Sequence, residues 1–183
     1  DVATNPYDNA TSYPNGVKPF GVSNLKNYKQ SGGPQRAASI GFEYRDPKYW
    51  WFGATTNFFS NAYVDVSSVL RTTNFTLDQD GIPITDYDPK VSKLLLKQEK
   101  FENYMLLNFV GGKTFKISNK YIGFFASINN VLNEVYKTGG YEQSRNGNYS
   151  QVLADSQRTT KLFGSKYWFG RGTSYYMNIY VRF

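Results

Sequence analysis

The stretch R-G-T-S-Y-Y-M-N-I-Y-V-R-F, Arg171 to Phe183, decides the fold. From Tyr175 onward one side carries Tyr175, Met177, Ile179, Val181 and Phe183. The other carries Tyr176, Asn178, Tyr180 and Arg182. Successive side chains of a β-strand point to opposite faces, so a period of two predicts a strand with one apolar face. No Gly or Pro interrupts it after Gly172. A strand that crosses a bilayer needs about 9–11 residues of such alternation, with aromatic residues toward its rims. This stretch meets both conditions and predicts an all-β protein, an antiparallel transmembrane β-barrel.

Four stretches upstream alternate in the same way. In 35–46, Ala38, Ile40, Phe42 and Tyr44 share a side. Asp46-Pro47-Lys48 then reads as a tight turn with Pro well placed. In 49–61, Trp50, Phe52, Ala54, Thr56 and Phe58 share a side. In 101–117 both sides are fairly apolar, Met105, Leu107 and Phe109 against Leu106, Asn108 and Val110, so its facing stays open. Ser118-Asn119 makes a short turn into 120–130, where Ile122, Phe124, Ala126 and Ile128 align. These four and 171–183 are the expected strands of a unit spanning 35–183. Residues 1–34, punctuated by Pro6, Pro14, Pro19 and Pro34, read as an irregular extracellular loop. The connections 62–100 and 131–170 read as long loops, the first with a short helix within Pro89 to Glu99.

Turns after the first and third strands are short, and connections after the second and fourth are long. Outer-membrane barrels are organised in this way, with short periplasmic turns and long extracellular loops. Five strands cannot close, because a single-chain barrel needs about eight or more. An open sheet in lipid would leave two unpaired edges, each polar group costing several kcal/mol. The chain is therefore expected to be part of a larger barrel, or to pair with another polypeptide. It starts at Asp1 with no basic, apolar leader, as after removal of a signal peptide or within a longer protein.

Composition removes several alternatives. The chain of 183 residues has no Cys and no His. That excludes a disulfide framework, Cys or His zinc sites, and Ser-His or Cys-His nucleophile pairs. Its 16 Tyr and 14 Phe suit interfacial girdles or an aromatic binding surface. Mean hydropathy is −0.55, and no apolar run approaches the ~20 residues of a membrane helix. A barrel wall looks this way because half of each strand faces a polar interior. The net charge of +7 is scattered rather than blocked, which speaks against nucleic acid as a partner.

Three stretches carry a resemblance. They are G-G-P-Q-R-A-A-S-I-G-F-E-Y-R-D-P-K-Y-W-W-F-G-A-T (32–55), K-Y-I-G-F-F-A-S-I-N-N-V-L-N-E-V-Y-K-T-G-G-Y-E-Q-S-R-N (120–146), and F-G-S-K-Y-W-F-G-R-G-T-S-Y-Y-M-N-I-Y-V-R-F (163–183). Together they resemble the C-terminal end of the TonB-dependent outer-membrane receptors of Bacteroidetes-type bacteria. The step I-N-N-V-L-N (128–133) combined with the terminal aromatic strand is the specific part. The resemblance implies that these are the last five strands of a 22-stranded barrel in the bacterial outer membrane. A plug domain and an inner-membrane TonB energy-coupling complex would act through parts this chain does not contain. It further implies that Tyr175, Met177, Ile179, Val181 and Phe183 form the signal read by the barrel-assembly machinery. A surface lipoprotein is a further candidate partner.

Candidate sites are few. Gly111-Gly112-Lys113-Thr114 looks like the end of a phosphate loop, but Leu107 stands where the first glycine belongs. Paired glycines inside a strand more often thin the wall beside a packed neighbour. Asp78, Asp80, Asp86 and Asp88 cluster on one loop, but Ile82 and Pro89 occupy ligand positions of an EF-hand. They are weak metal candidates, and no cofactor is expected. Tyr141, Glu142, Arg145 and Tyr149 lie on the second long loop, where a barrel mouth carries recognition, and are candidates for solute or plug contact. Glu43 and Arg45 read as polarity of the inner wall.

The leading functional expectation is a non-enzymatic transporter segment for energised uptake of a bulky solute. Two others compete with it. One is a secreted β-sandwich binding carbohydrate or peptide through Tyr and Trp. The other is a barrel serving as structural partner in an envelope complex.

Overall fold

A computed structural model describes residues 20–143 and 147–183. They fall into two compact units. One holds residues 20–28, 67–97 and the described part of 143–164; the other holds 29–66, 98–142 and 165–183.

The larger unit contains seven strands in chain order: β1 (Arg36–Asp46), β2 (Trp50–Ser60), β3 (Tyr104–Ile117), β4 (Lys120–Asn129), β5 (Lys137–Tyr141), β6 (Lys166–Phe169) and β7 (Ser174–Arg182). Five form one antiparallel sheet in the order β1-β2-β3-β4-β7, and β5 pairs with β6 in a separate two-stranded sheet. The five-stranded sheet is open, so a closed barrel is not seen in these strands. No helix among the described residues is long and apolar enough to cross a membrane. The five expected strands are present within a few residues of their expected ends. The expected loops 62–100 and 131–170 are not structureless, however. They hold β5, β6, two helices and two short 3-10 turns.

Register decides which side chains share a face. One row runs Phe42, Ala54, Phe109, Ile128, Tyr175 across all five strands, and the next runs Tyr44, Phe52, Gly111, Ala126, Met177. The apolar ladders of every strand thus meet on one side. The open facing of β3 is resolved the same way: Met105, Leu107 and Phe109 join the apolar side. The opposite side is mixed, with the row Glu43, Gly53, Val110, Ser127, Tyr176 and the row Arg45, Trp51, Gly112, Phe125, Asn178. Cross-strand neighbours lie only about 5 Å apart, so each row is a continuous surface. Nothing in the unit covers the apolar one: Ile40 is 69 %, Phe42 63 % and Met177 68 % exposed.

On the mixed side large rings lie flat over glycines. A Cβ on Gly123 would sit 2.0 Å from the Tyr180 ring, and the Tyr180 hydroxyl reaches to 2.9 Å from that of Thr114. Likewise the Trp51 indole lies against Gly112 and meets Phe125 beyond it, ring centres 6.0 Å apart. Gly112 therefore thins the sheet for a packed neighbour, whereas Gly111 faces the apolar side.

The long β4–β7 excursion is tied at its base. Asn130, 3 % exposed and at φ +50°, donates through Nδ2 to the carbonyls of Glu134 and Arg171 at 2.9 and 3.1 Å. Its Oδ1 accepts from the Glu134 N–H at 2.9 Å. Its own carbonyl accepts from the Thr173 hydroxyl at 2.8 Å, and its N–H donates to Asn108 Oδ1. Asn133, also left-handed at φ +53°, accepts from the Thr173 N–H through its side chain. Asn tolerates this conformation better than other residues with a Cβ. The I-N-N-V-L-N step is thus a clasp.

The smaller unit has its own core of Leu70, Phe75 and Tyr149, packed by Ile84, Val91, Leu95 and Val152 among others. Its helices are α1 (Pro89–Leu95) and α2 (Tyr149–Ser156). Each begins where an N-cap side chain satisfies otherwise unpaired amides. Asp88 accepts from Lys90 and Val91 N–H groups, with Pro89 at the first helical position; Asn148 accepts from the Gln151 N–H. The predicted helix within Pro89 to Glu99 is therefore α1, and it stops at Leu95.

Candidate functional site

Three separate segments of the larger unit converge near the long-connection end of the sheet. Residues 62–64 run antiparallel to 99–101: Phe101 N–H donates to the Ala62 carbonyl at 2.8 Å and Val64 N–H to that of Glu99 at 3.1 Å. Ala62, Val64 and Phe101 are buried together with Tyr167 of β6 packed against them. This pairing aims the Glu99 carboxylate at β5 and β6.

A bulge between Lys137 and Gly139 brings Lys137 to the same point. Its ammonium lies 2.9 Å from Glu99 Oε1, 3.6 Å above the Tyr167 ring and 5.4 Å from the Phe101 ring. The Tyr167 hydroxyl donates to the other oxygen of Glu99. Burial pushes the Tyr167 phenol above its ordinary value; the hydrogen bond to Glu99 and the charge of that carboxylate act in the same direction, and a hydrogen bond involving Ser165 opposes them. The ion pair is about one-third exposed, so it contributes at most about 1 kcal/mol. The contact of the cation with a ring face adds about as much. The group is therefore a stiff corner that holds one wall of a cleft.

That cleft has a volume of about 330 Å³ and is lined by Glu99, Phe101, Glu102, Tyr104, Tyr136 and Lys137 among others. Tyr104 and Tyr136 stack at 4.3 Å, and Phe59 stacks on Tyr104 at 5.0 Å. The cleft offers a bound molecule carboxylate acceptors and aromatic edges.

The candidates from sequence fare differently. Tyr141, in β5, is exposed and its ring lies 5.7 Å from Trp168. Glu142 follows it, its N–H donating to the Asp65 carbonyl at 2.8 Å. Arg145 lies outside the described residues. Tyr149 belongs to the smaller unit and is 3 % exposed, its ring packed edge-on to Phe75 and Tyr87; it is spent on that core. The four aspartates do not form a cage. Asp78 Oδ1 accepts from the Asp80 and Ile82 N–H groups, Asp88 caps α1, and Asp80 is exposed. Among the described residues no three carboxylates gather where a metal would sit. Tyr175, Met177, Ile179, Val181 and Phe183 are all exposed, and the first four share the apolar side. Glu43 and Arg45 pair with each other on the mixed side.

Glu99, Lys137 and Tyr167 had no signal in the sequence. They come from the two long connections, Glu99 from one and Lys137 and Tyr167 from the other, and β5 and β6 are too short for a period to register.

No family model, curated protein or solved structure matches the chain. The fold itself defines a mostly antiparallel β-sheet protein with one predominantly apolar and one mixed sheet face.

Proposed function

We propose that the chain is the C-terminal wall of an outer-membrane TonB-dependent receptor, importing a bulky solute through a barrel completed by further strands. The observation that carries this reading is the uncovered apolar side running across all five strands. Full burial of a large apolar side chain contributes about 1.5–3 kcal/mol. Ile40, Phe42, Phe124, Met177 and Ile179 are each roughly half exposed or more, so covering these five alone is worth roughly 4–8 kcal/mol. That is comparable with the ~5–15 kcal/mol that holds a whole domain, so a surface of this kind requires an apolar neighbour. Acyl chains fit it. An 11-residue strand such as β2 is about 36 Å long. At a tilt near 45° it spans roughly 25 Å, the height of the apolar band of such barrels. The mixed side, with its glycines, Asn and Thr, would then face the lumen. The cleft bounded by Glu99, Lys137 and Tyr136 would stand at the extracellular mouth, where solute is met. Recognition there is the role for Tyr141 and Glu142.

The chain lacks cysteine, which makes single-site labelling direct. Nitroxides at Ile40→Cys, Phe109→Cys and Met177→Cys in reconstituted membranes are expected to be reached by oxygen, which concentrates in lipid. Those at Thr55→Cys, Asn108→Cys and Asn178→Cys are expected to be shielded from it. An apolar set reached by neither oxygen nor a water-soluble relaxant would mean a protein layer covers it, and the transporter reading would fall.

A further inference from the structure

Charge is distributed unevenly along the strands. At the short-turn end stand Arg45, Lys48, Lys113, Lys116, Lys120 and Arg182, against only Glu43 and Asp46. Glu43 is taken by Arg45. Asp46 accepts from the Tyr44 hydroxyl and the Lys48 N–H. Among the described residues, none of Lys48, Lys113, Lys116 and Lys120 has a carboxylate within ion-pair reach. At the other end the signs balance, Arg36, Lys100 and Lys137 standing with Glu99, Glu102 and Glu134.

Two of these cations lie on the apolar side itself. Lys113 sits between Trp50 and Phe124 in the cross-strand rows, and Lys120 faces Ile117. Their ammonium groups lie 5.1 Å from the Phe115 ring and 4.7 Å from that of Phe183. A lysine laid along rings in this way buries its stem on apolar surface and presents its charge at the boundary. Lys113 is level with the β1–β2 turn through Trp50, whereas Lys120 borders the β3–β4 turn, so the cationic boundary steps along the strands from one hairpin to the next. A tilted sheet crossing a flat interface has such a stepped boundary. Tyr44, Trp50, Phe115 and Phe183 accompany it, as interfacial aromatics do.

We propose that this rim binds the headgroups of anionic phospholipids, with Lys113 and Lys120 as phosphate contacts and Lys48 beside them. The inference rests on the reading of the apolar side as lipid-facing. Unpaired ammonium groups at the edge of hydrocarbon attract a phosphate diester more strongly than they would in open water, because the adjacent dielectric is low. Near an anionic surface each such charge favours association roughly fivefold.

The test reconstitutes the native polypeptide that carries this chain in phosphatidylcholine membranes doped with spin-labelled phosphatidylglycerol or spin-labelled phosphatidylcholine. The motionally restricted population of each label gives their relative association. The restricted population is expected to favour phosphatidylglycerol and to lose that preference as salt is added. The double variant Lys113→Gln/Lys120→Gln is expected to lower the preference threefold or more and leave restricted phosphatidylcholine unchanged. Lys100→Gln, at the other end, is expected to leave it intact. No preference in the native protein, or a drop below threefold in the double variant, overturns the inference while the lipid-facing reading stands. Absence of restricted lipid of either kind overturns both.

Discussion

Replacing Asn130 by Ala cuts the clasp at the base of the β4–β7 excursion. The amide makes three hydrogen bonds in a site that is 3 % exposed. Each contributes about 1 kcal/mol net, and more where the partner is left unsatisfied, which makes about 3 kcal/mol. Ala at a φ of +50° adds roughly 1–2 kcal/mol that Asn largely avoids. The sum is about 4–5 kcal/mol. Gly keeps the backbone and loses the amide, so Asn130→Gly is expected to cost about 3 kcal/mol. The assay is hydrogen exchange read by mass spectrometry on peptides covering 130–136 and 171–175. At about 1.4 kcal/mol per tenfold, Asn130→Ala should speed exchange of the Glu134 and Thr173 amides by about a thousandfold or more. Asn130→Gly should speed it about a hundredfold. Acceleration below tenfold in the Ala variant, or equal effects of Ala and Gly, would refute the assignment of the clasp to this side chain and its backbone conformation.

Other outcomes follow from local contacts. Gly123→Ala should eject the Tyr180 ring from its place 2.0 Å from the new methyl, costing about 1–3 kcal/mol; in the Tyr180→Ala background the same change should be nearly free, and a double-mutant cycle on denaturation midpoints measures the difference. Tyr167 has its folded value raised, so the stabilisation from its protonated form is complete below the ordinary tyrosine value near 10 and is lost as pH rises through the folded value. Absorbance at the phenolate band during a pH titration should show Tyr167 among the late-ionising tyrosines, and Tyr167→Phe should take one tyrosine out of that late fraction. Asp88→Ala should weaken α1 by about 1 kcal/mol, seen as faster exchange of the Lys90 and Val91 amides.

What the sequence revealed tracks the length of each periodic run. β1, β2, β4 and β7 have nine to eleven residues, enough for alternation to identify both strand and face. β3 is longer, but Leu106 and Val110 blur its contrast; only the pairing of Leu106 with Asn57, and of Val110 with Gly53 and Ser127, shows that they lie on the mixed side. β5, K-T-G-G-Y, and β6, K-Y-W-F, are too short for any period, and the glycines of β5 argue against a strand. Their pairing comes from tertiary contacts with residues 62–65 and 99–101, which no local pattern encodes. α1 is expected within Pro89 to Glu99 from a stretch that carries Leu94, Leu95 and Leu96, and its Asp88 cap emerges only from the structure. The acidic run 78–88 was read for its charge, whereas two of its carboxylates are consumed by backbone amides. Tyr149 was placed at a surface because it lies in a long connection, yet its ring joins Leu70 and Phe75 of the other long connection in a core.

The Asn130 clasp also bears on how such a protein can change over generations. With Asn130 and Asn133 gripping Glu134, Arg171 and Thr173, the two feet of the excursion are fixed independently of whatever lies between them. Doubling the length of a segment so anchored costs only about 0.6 kcal/mol in closure entropy. The intervening residues can therefore change by insertion, deletion or wholesale replacement, while the sheet beneath keeps its strands aligned.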